Sequence, residues 1–235
     1  MLQTSLAHPA VALALRLAEH DAPQLGAFAR QLFRNAQADD LQGRNGADLA
    51  ELARGAFDQF SQRLPGSPKL GMDVTKGSAV ISIINDDMPF LVDSTLALLS
   101  AQGLEVRMVL HPVIGVRRDA VGRLLALDED GGVPENGHRE SFIHIELGGL
   151  KAGAVSQLAS EIEITLQQVR RAVLDWRPML ARVEQVIGAL ETSAPPLPVE
   201  ELSESIAFLR WLLANHFTFL GLREYRYEPD GSGLR

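Results

Sequence analysis

The sequence predicts an α+β fold of the ferredoxin-like type, with a βαββαβ-type antiparallel sheet, helices on one face and a small N-terminal helical region before it. Two observations carry this prediction. Residues 1–64 contain only helical periodicity, and residues 79–192 contain strand and helix patterns in the order strand–helix–strand–strand–helix. Right-handed crossovers then place both helices of that second segment on one face. Residues 199–235 add a helix and a strand that begin a following domain or complete the sheet.

The N-terminal region shows three apolar stripes of helical spacing. A short one lies near residues 11–18, one follows the Asp21/Pro23 start signal to Phe33, and one runs from Leu49 to Phe60. Each helix has a single apolar stripe, so together they form a small bundle or a layer packed on something else. Glycine and proline enrichment from residue 65 to residue 78 then predicts a linker or irregular loop.

The first predicted strand, residues 79–85, is apolar on both faces and is typical of a buried central strand. Asp86, Asp87 and Pro89 follow it at once and signal a helix that runs to about Gln102. Residues 104–118 alternate in polarity, but Pro112 lies inside them and requires an edge, a bulge or a bend. Residues 123–127 are expected to pair with this strand through a turn.

A further strand is predicted at 141–147. Ile143, Ile145 and Leu147 would face the core, whereas Phe142, His144 and Glu146 would lie on a solvated or interface face. A sheet with one helix-free face commonly uses it to dimerise or to bind a ligand, although this step is an analogy from the fold.

The second half of the chain is mainly helical. A stripe runs from Val155 to Val173, Pro178 is expected to break or kink the helix, and the stripe resumes from Leu180 to Leu190. The proline spacer at 193–198 is the best candidate boundary. After one more helix, alternation at 216–227 predicts a strand that looks like the first element of something cut off, so we expect a longer parent chain.

Composition excludes several classes of protein. The 235 residues include no cysteine, which rules out disulfide scaffolds, thiolate metal sites and cysteine nucleophiles. The formal net charge of −8 argues against a nucleic-acid partner. No apolar run reaches the roughly 18 residues needed to cross a bilayer, and the N-terminus is a poor signal peptide. We therefore expect no membrane partner and a cytoplasmic location.

The chemistry-bearing patterns are weak. There is no glycine-rich dinucleotide fingerprint, and the acidic strand-to-helix turn at 85–89 would repel phosphate, so we expect no cofactor in this segment. His144 and Glu146 lie two apart on a strand and could begin a metal site, but a charged sheet face is the more usual interpretation. His216 could be a general base, but a histidine at a helix end is more usual. We predict neither catalytic nor metal-ligating residues.

Several strings resemble a known family. NDDMPFLVDSTLALLSAQGLEVRMVLHPVIGVRRD (85–119) looks like the first ACT domain of the large, NAD-specific bacterial glutamate dehydrogenases, and RESFIHIEL (139–147), VLDWRPM (173–179) and NHFTFLGLREYRY (215–227) resemble that family in matching order. The resemblance implies a non-catalytic, regulatory and oligomer-building N-terminal segment. The parent enzyme would use NAD as its cofactor and convert glutamate to 2-oxoglutarate. Implied partners are a second copy of the chain, other domains of the parent chain and an amino-acid effector.

The resemblance also marks one candidate site. ACT domains carry an Asp-x-Pro-Gly-Leu-like string whose backbone contacts an amino-acid ligand, and Asp87–Leu91 match it with Phe90 in place of the glycine. Phenylalanine fills ligand space there and limits the backbone angles. One hypothesis is an effector pocket formed by Asn85, Asp86, Asp87, Met88 and Phe90. The alternative is structural: Asp86 or Asp87 caps the helix, and Phe90 packs into a core or interface.

Overall fold

A computed structural model describes residues 5–37, 39–75, 78–150, 152–193 and 195–225. It contains six α-helices within these ranges: α1 (Pro9–Asp21), α2 (Pro23–Phe33), α3 (Gly46–Phe60), α4 (Leu91–Ala101), α5 (Val155–Thr192) and α6 (Val199–Trp211). The strands are β1 (Lys69–Thr75), β2 (Ser78–Asp86), β3 (Glu105–Leu110), β4 (Val113–Arg118), β5 (Leu124–Leu127) and β6 (His138–Gly148).

The chain divides into two compact units, Met1–Gln167 and Gln168–Arg235. The division falls inside α5, whereas the sequence places its clearest boundary of the second half at 193–198. The three N-terminal helices and the sheet therefore belong to one compact unit, and the second part of α5 belongs to the other together with α6.

The predicted α+β class is confirmed. The six strands form one antiparallel sheet in the order β1-β2-β6-β4-β5, and β3 also pairs with β6. The predicted disruption at Pro112 is confirmed too, because β3 ends before this residue and β4 begins after it, and both run alongside β6. The expected pairing of 123–127 with the preceding strand is the β4–β5 hairpin.

The linker predicted between residues 65 and 78 is wrong over most of its length. Residues 69–75 form β1, which pairs with β2 along its whole length, from Lys69 opposite Ile84 to Thr75 opposite Ser78. The prolines at 65 and 68 precede the strand, and a glycine is tolerated in an edge strand. The free edge of the strongly apolar β2 supplies backbone hydrogen-bond partners, which local composition does not reveal.

Both faces of the sheet are covered. Ile84 of β2 and Phe142 of β6 are cross-strand partners and join the core of the three N-terminal helices. Phe142 packs edge-on against Phe28 and Phe60, at ring-centroid distances of 5.4 and 5.8 Å. The face predicted to be solvated is therefore buried near Phe142, because the N-terminal helices form a layer on it.

The opposite face of the central strands is also apolar and buried, through Ile81, Ile83, Ile143, Ile145 and Leu147. None of these side chains belongs to the N-terminal core. The buried residues of α4 and of the first part of α5, including Leu99 and Ile162, lie outside that core as well. Helical layers thus follow the order of the chain, with α1–α3 on one side and α4 and early α5 on the other.

In the second unit, α5 continues without interruption as part of a 38-residue helix that contains Pro178. Of the predicted break or kink, the break is therefore wrong. The apolar stripe keeps its spacing through Met179, Val183 and Ile187, which are all buried. Burial of that stripe offsets the loss of one helical hydrogen bond at the proline, about 3 kcal/mol in an unsupported helix.

The strand predicted at 216–227 is wrong where the structure describes it. Residues 212–216 form one π-helical turn, and residues 217–225 have no regular secondary structure. Residues 226 and 227 lie outside the described part of the chain. Alternation specifies a strand only where a neighbouring strand offers hydrogen bonds. At the edge of the sheet where a late strand would pair with β2, β1 already fills that position.

Candidate functional site

The candidate site lies where β2 ends and α4 begins. Asn85 and Asp86 are the last residues of β2, and four residues lead from there to Leu91, the first residue of α4. Phe90 has φ of +72° and ψ of −1°, so it adopts the left-handed conformation that favours glycine. The resemblance to an Asp-x-Pro-Gly string thus holds for the backbone even though the side chain differs. A phenylalanine in this conformation carries strain of about 1–2 kcal/mol.

Asp87 belongs to a short chain of polar contacts. The Ser141 hydroxyl donates to Asp87 Oδ1 at 2.7 Å, and His111 Nε2 lies 3.2 Å from the same hydroxyl oxygen. Because the hydroxyl proton goes to the carboxylate, the serine oxygen accepts from the imidazole. Burial lowers the pKa of His111, while the nearby carboxylates of Asp87 and Asp93 oppose the change. Three elements therefore converge here: the β2–α4 turn, the bend before β4 and β6.

Asn85 is the buried polar residue of the turn. Its side chain is 1% exposed, and its Oδ1 atom has no hydrogen-bond partner. Its cross-strand neighbour is Ser141, so the two polar side chains lie next to each other on one face of the sheet. A buried carbonyl oxygen without a donor costs about 1–3 kcal/mol, so this acceptor is left unsatisfied within the fold.

Asp86 points into a buried ion network instead of the turn. Arg63 donates to Asp86 Oδ1 at 2.7 Å and to Glu140 Oε1 at 2.7 Å. Arg118 binds both oxygens of Glu140, at 2.8 and 2.7 Å, and also donates to the carbonyl of Phe60 at the end of α3. We call Arg63, Asp86, Arg118 and Glu140 the buried ion network.

The charges of the buried ion network balance. Glu140 is fully buried, and burial alone would raise its pKa, but Arg118 and Arg63 outweigh that effect, so the pKa lies below its ordinary value. Two guanidinium groups then face two carboxylates. The contacts among the four residues, and that of Arg118 with Phe60, join the segment at the end of α3 to β6, β4 and the end of β2. Asp86 thus ties the candidate site to Arg63 through Oδ1, and its side chain is partly exposed.

The helix-cap alternative is wrong. Phe90 occupies the N-cap position of α4, and no side chain makes a cap hydrogen bond there. Asp86 and Asp87 precede the N-cap position, and their carboxylates bind Arg63 and Ser141 instead. Nor does Phe90 pack into a core, since half of its side chain is exposed. Met88 is half-buried in the turn.

The histidines singled out in the sequence do not come together as a metal site. Among the described residues, no group of three or more histidines, cysteines and carboxylates is placed to hold a metal ion. His144 is buried, with Nε2 3.7 Å from Glu146 Oε1, which is too far for a hydrogen bond. His216 stacks on Trp211 at the end of the helical segment, and its Nδ1 lies 3.1 Å from the Trp211 carbonyl oxygen.

Sequence reasoning missed two residues that shape the site. Ser141 bridges Asp87 and His111, and Arg63 anchors Asp86. Arg63 offers one signal in the sequence, because a lone arginine directly after an apolar helix can be drawn into the core if carboxylates meet it there. Its partners Asp86 and Glu140 are distant in sequence, and the register of β2 with β6 makes them neighbours.

No helix in the described part of the chain has both the length and the apolar character needed to span a membrane.

The antiparallel sheet has a core in the order strand–helix–bent strand–strand–helix. A residue in the left-handed conformation stands at its first strand-to-helix turn. Together these two features define an ACT-like domain. The family model described as "Glutamate dehydrogenase, ACT1 domain" matches residues 28–162. The chain belongs to this family. The match includes α3, all six strands and α4, together with the candidate site.

Curated relatives agree with this assignment. The chain is 31% identical to an NAD-specific glutamate dehydrogenase of Pseudomonas aeruginosa over 95% of its length, and 32% identical to one of Halomonas elongata over 92%. A third relative, from Mycobacterium tuberculosis, is 24% identical over 66% of the chain. The chain spans only 14% of the length of the first two relatives and 10% of the third.

Proposed function

We propose that this chain is the regulatory and assembly segment of an NAD-dependent glutamate dehydrogenase and does no chemistry by itself. The observation that carries the proposal is the ACT1 family match over residues 28–162. The relatives are named NAD-specific glutamate dehydrogenases. The parent protein would therefore convert L-glutamate, NAD+ and water to 2-oxoglutarate, ammonia and NADH. NAD would bind elsewhere in the parent protein, and the segment would act in the cytoplasm.

The first experiment measures NADH formation at 340 nm from glutamate and NAD+. We expect the 235-residue chain alone to be inactive and the longer parent protein to be active. The parent protein carrying Asp87→Asn is expected to keep its basal rate and to change its response to amino-acid effectors. Turnover by the isolated chain would contradict the proposal.

Assembly is the second part of the proposal. The second unit exposes large apolar side chains on its helices: Leu174, Trp176, Val199, Phe208 and Trp211. Clusters of large exposed apolar side chains mark surfaces that bind other proteins or domains. We propose that they mediate self-association and contacts with other domains of the parent chain. Light scattering should give at least a dimeric mass for the chain, and Phe208→Ser with Trp211→Ser should reduce it. A monomeric mass at high concentration would contradict self-association.

A second candidate function is that of an amino-acid sensor, favoured by the unpartnered Asn85 Oδ1 beside Asp87. We propose that the ammonium group of an amino acid donates to these two residues. Its carboxylate would accept from the backbone N–H groups at the start of α4, which no side chain caps. Phe90 is half exposed over this turn and would line the pocket.

The sensor is tested by calorimetric titration of the chain with glutamate, aspartate and other amino acids. Asn85→Leu and Asp87→Asn should each abolish saturable binding. Glu163→Gln makes the same carboxylate-to-amide change as the second variant, on an exposed position of α5, and should bind as the wild type does. Absence of binding in a folded wild-type sample would remove the sensor function and leave the assembly function standing.

A further inference from the structure

A separate groove lies between α3 and the β1 side of the sheet, away from the candidate site. Its volume is about 710 Å³. One wall is the face of α3 that carries Asp48, Glu51, Gly55 and Asp58, and the other wall comes from β1, β2 and β6. His144 and Glu146 of β6 line its floor. We call this feature the α3 groove.

The α3 groove is acidic. Five carboxylates line it, from Asp48, Glu51, Asp58, Asp73 and Glu146, and one guanidinium, that of Arg44, faces them. Arg44 is already paired with Glu146, and the pKa of Glu146 is lowered by His144 and by Arg44, against the opposing effect of burial. Within the described residues, Asp58 and Asp73 have no ion-pair partner. The groove therefore has negative charge that the described residues do not neutralise.

The floor holds a second feature. His144 is 3% exposed, Nε2 faces Glu146 Oε1 at 3.7 Å, and neither ring nitrogen lies within hydrogen-bond distance of a partner. A neutral imidazole has one N–H donor and one acceptor, so leaving both unused in a buried place costs free energy. An N–H-bearing ligand in the groove would meet this unused capacity. The histidine thus distinguishes the groove from an ordinary solvated acidic face.

The spacing of the carboxylates indicates the shape of the ligand. Asp48, Glu51 and Asp58 share one face of α3 and span eleven residues, roughly 15 Å along the helix. In the described residues no three metal-ligating side chains converge, so this spread suits an elongated cation with several charges better than a metal ion. Gly55 lies midway along the wall, and a Cβ built there meets no atom within 4 Å, which keeps the middle of the groove open.

We propose that the α3 groove binds a linear aliphatic polyamine. Its ammonium groups pair with Asp58 and Asp73 at the rim, and one N–H donates to the unprotonated nitrogen of His144 at the floor. This site is distinct from the candidate effector site and does not depend on the proposed function.

The test is calorimetric titration of the 235-residue chain with spermidine at fixed ionic strength. We expect saturable binding that Asp58→Asn combined with Asp73→Asn weakens about tenfold or more, since each charge contributes on the order of a factor of several. Glu163→Gln combined with Glu200→Gln makes the same charge change at exposed positions outside the groove and should leave the affinity unchanged within twofold.

Two further variants distinguish binding at a defined site from nonspecific attraction of spermidine to negative charge. Gly55→Leu improves helix propensity while filling the groove, so we expect a folded chain, confirmed by circular dichroism, that binds no spermidine. His144→Phe keeps an aromatic ring and removes the acceptor, and should weaken binding. No saturable binding by the wild type, equal weakening by the two double variants, or magnesium chloride binding as tightly as spermidine would each overturn the proposal.

Discussion

The buried ion network and the polar groups around Asn85 and His144 lie on the same sheet but satisfy their hydrogen bonds very differently. Glu140 receives charged donors on both oxygens, whereas Asn85 Oδ1 and the ring nitrogens of His144 receive none. The first arrangement fixes the architecture, because removing one member strands a buried charge. The second leaves hydrogen-bonding capacity unused, and both ligand proposals start from it. Buried polar residues on one sheet therefore differ in whether the chain itself supplies their partners.

The largest expected effect comes from breaking the buried ion network. Glu140→Gln keeps the shape of the side chain but leaves Arg63 and Arg118 buried without their shared carboxylate. We expect a loss of about 3–5 kcal/mol in the free energy of unfolding. Urea denaturation followed by circular dichroism measures it. Glu163→Gln, at an exposed position, should stay within about 0.5 kcal/mol of the wild type; a similar loss in both variants would contradict this role.

Acid should weaken the same network in the wild type. The pKa of Glu140 is lower in the folded chain than its ordinary value of about 4.3, so its ionised form stabilises the fold above that value. This stability is lost as the pH falls through the lowered folded pKa. Unfolding free energies measured from pH 7 down to pH 3 should therefore decline less steeply in Glu140→Gln than in the wild type. Parallel curves for the two proteins would show that Glu140 is not the responsible group.

A smaller effect is expected at the strained turn. Phe90→Gly removes the left-handed strain, and the gain is reduced by the greater freedom of glycine in the unfolded chain. We expect the midpoint of urea unfolding to rise, with a net stabilisation of about 0.5–1 kcal/mol. Phe90→Ala retains a Cβ and should gain nothing. If alanine stabilises as much as glycine, the backbone conformation is not the source of the effect.

The smallest expected change in stability is at Asn85, whose buried oxygen has no partner. Asn85→Leu removes this oxygen, so we expect a free energy of unfolding equal to that of the wild type or higher by up to about 1 kcal/mol. Ser141→Ala, at the cross-strand neighbour, removes a bonded hydroxyl and should lower stability by about 1 kcal/mol. Thermal unfolding of the two variants side by side measures the difference. A larger loss for Asn85→Leu would mean that its amide is structural.

The turn between β2 and α4 shows how much of the candidate site can be predicted from the sequence. The string from Asp87 to Leu91 predicts a strand-to-helix connection, and the structure has one there, with Phe90 in the backbone conformation that the family's glycine would favour. Neither of the two sequence hypotheses anticipates Ser141 or His111, because both are brought to the turn by strand pairing. For His144 the sequence suggests a metal site or a solvated face, and alternation alone does not reveal that the residue is buried.

By itself, the sequence determined the helices of the first 64 residues and the strand–helix–strand–strand–helix order of the middle segment, because these follow from periodicities of 3.6 and 2 residues along the chain. Only the tertiary structure decided that β1 fills the sheet edge beside β2, that both sheet faces are covered and that residues 217–225 form no strand. It also decided which polar side chains are satisfied. These outcomes depend on partners far away in the chain, whose hydrogen bonds and burial are set when the layers pack.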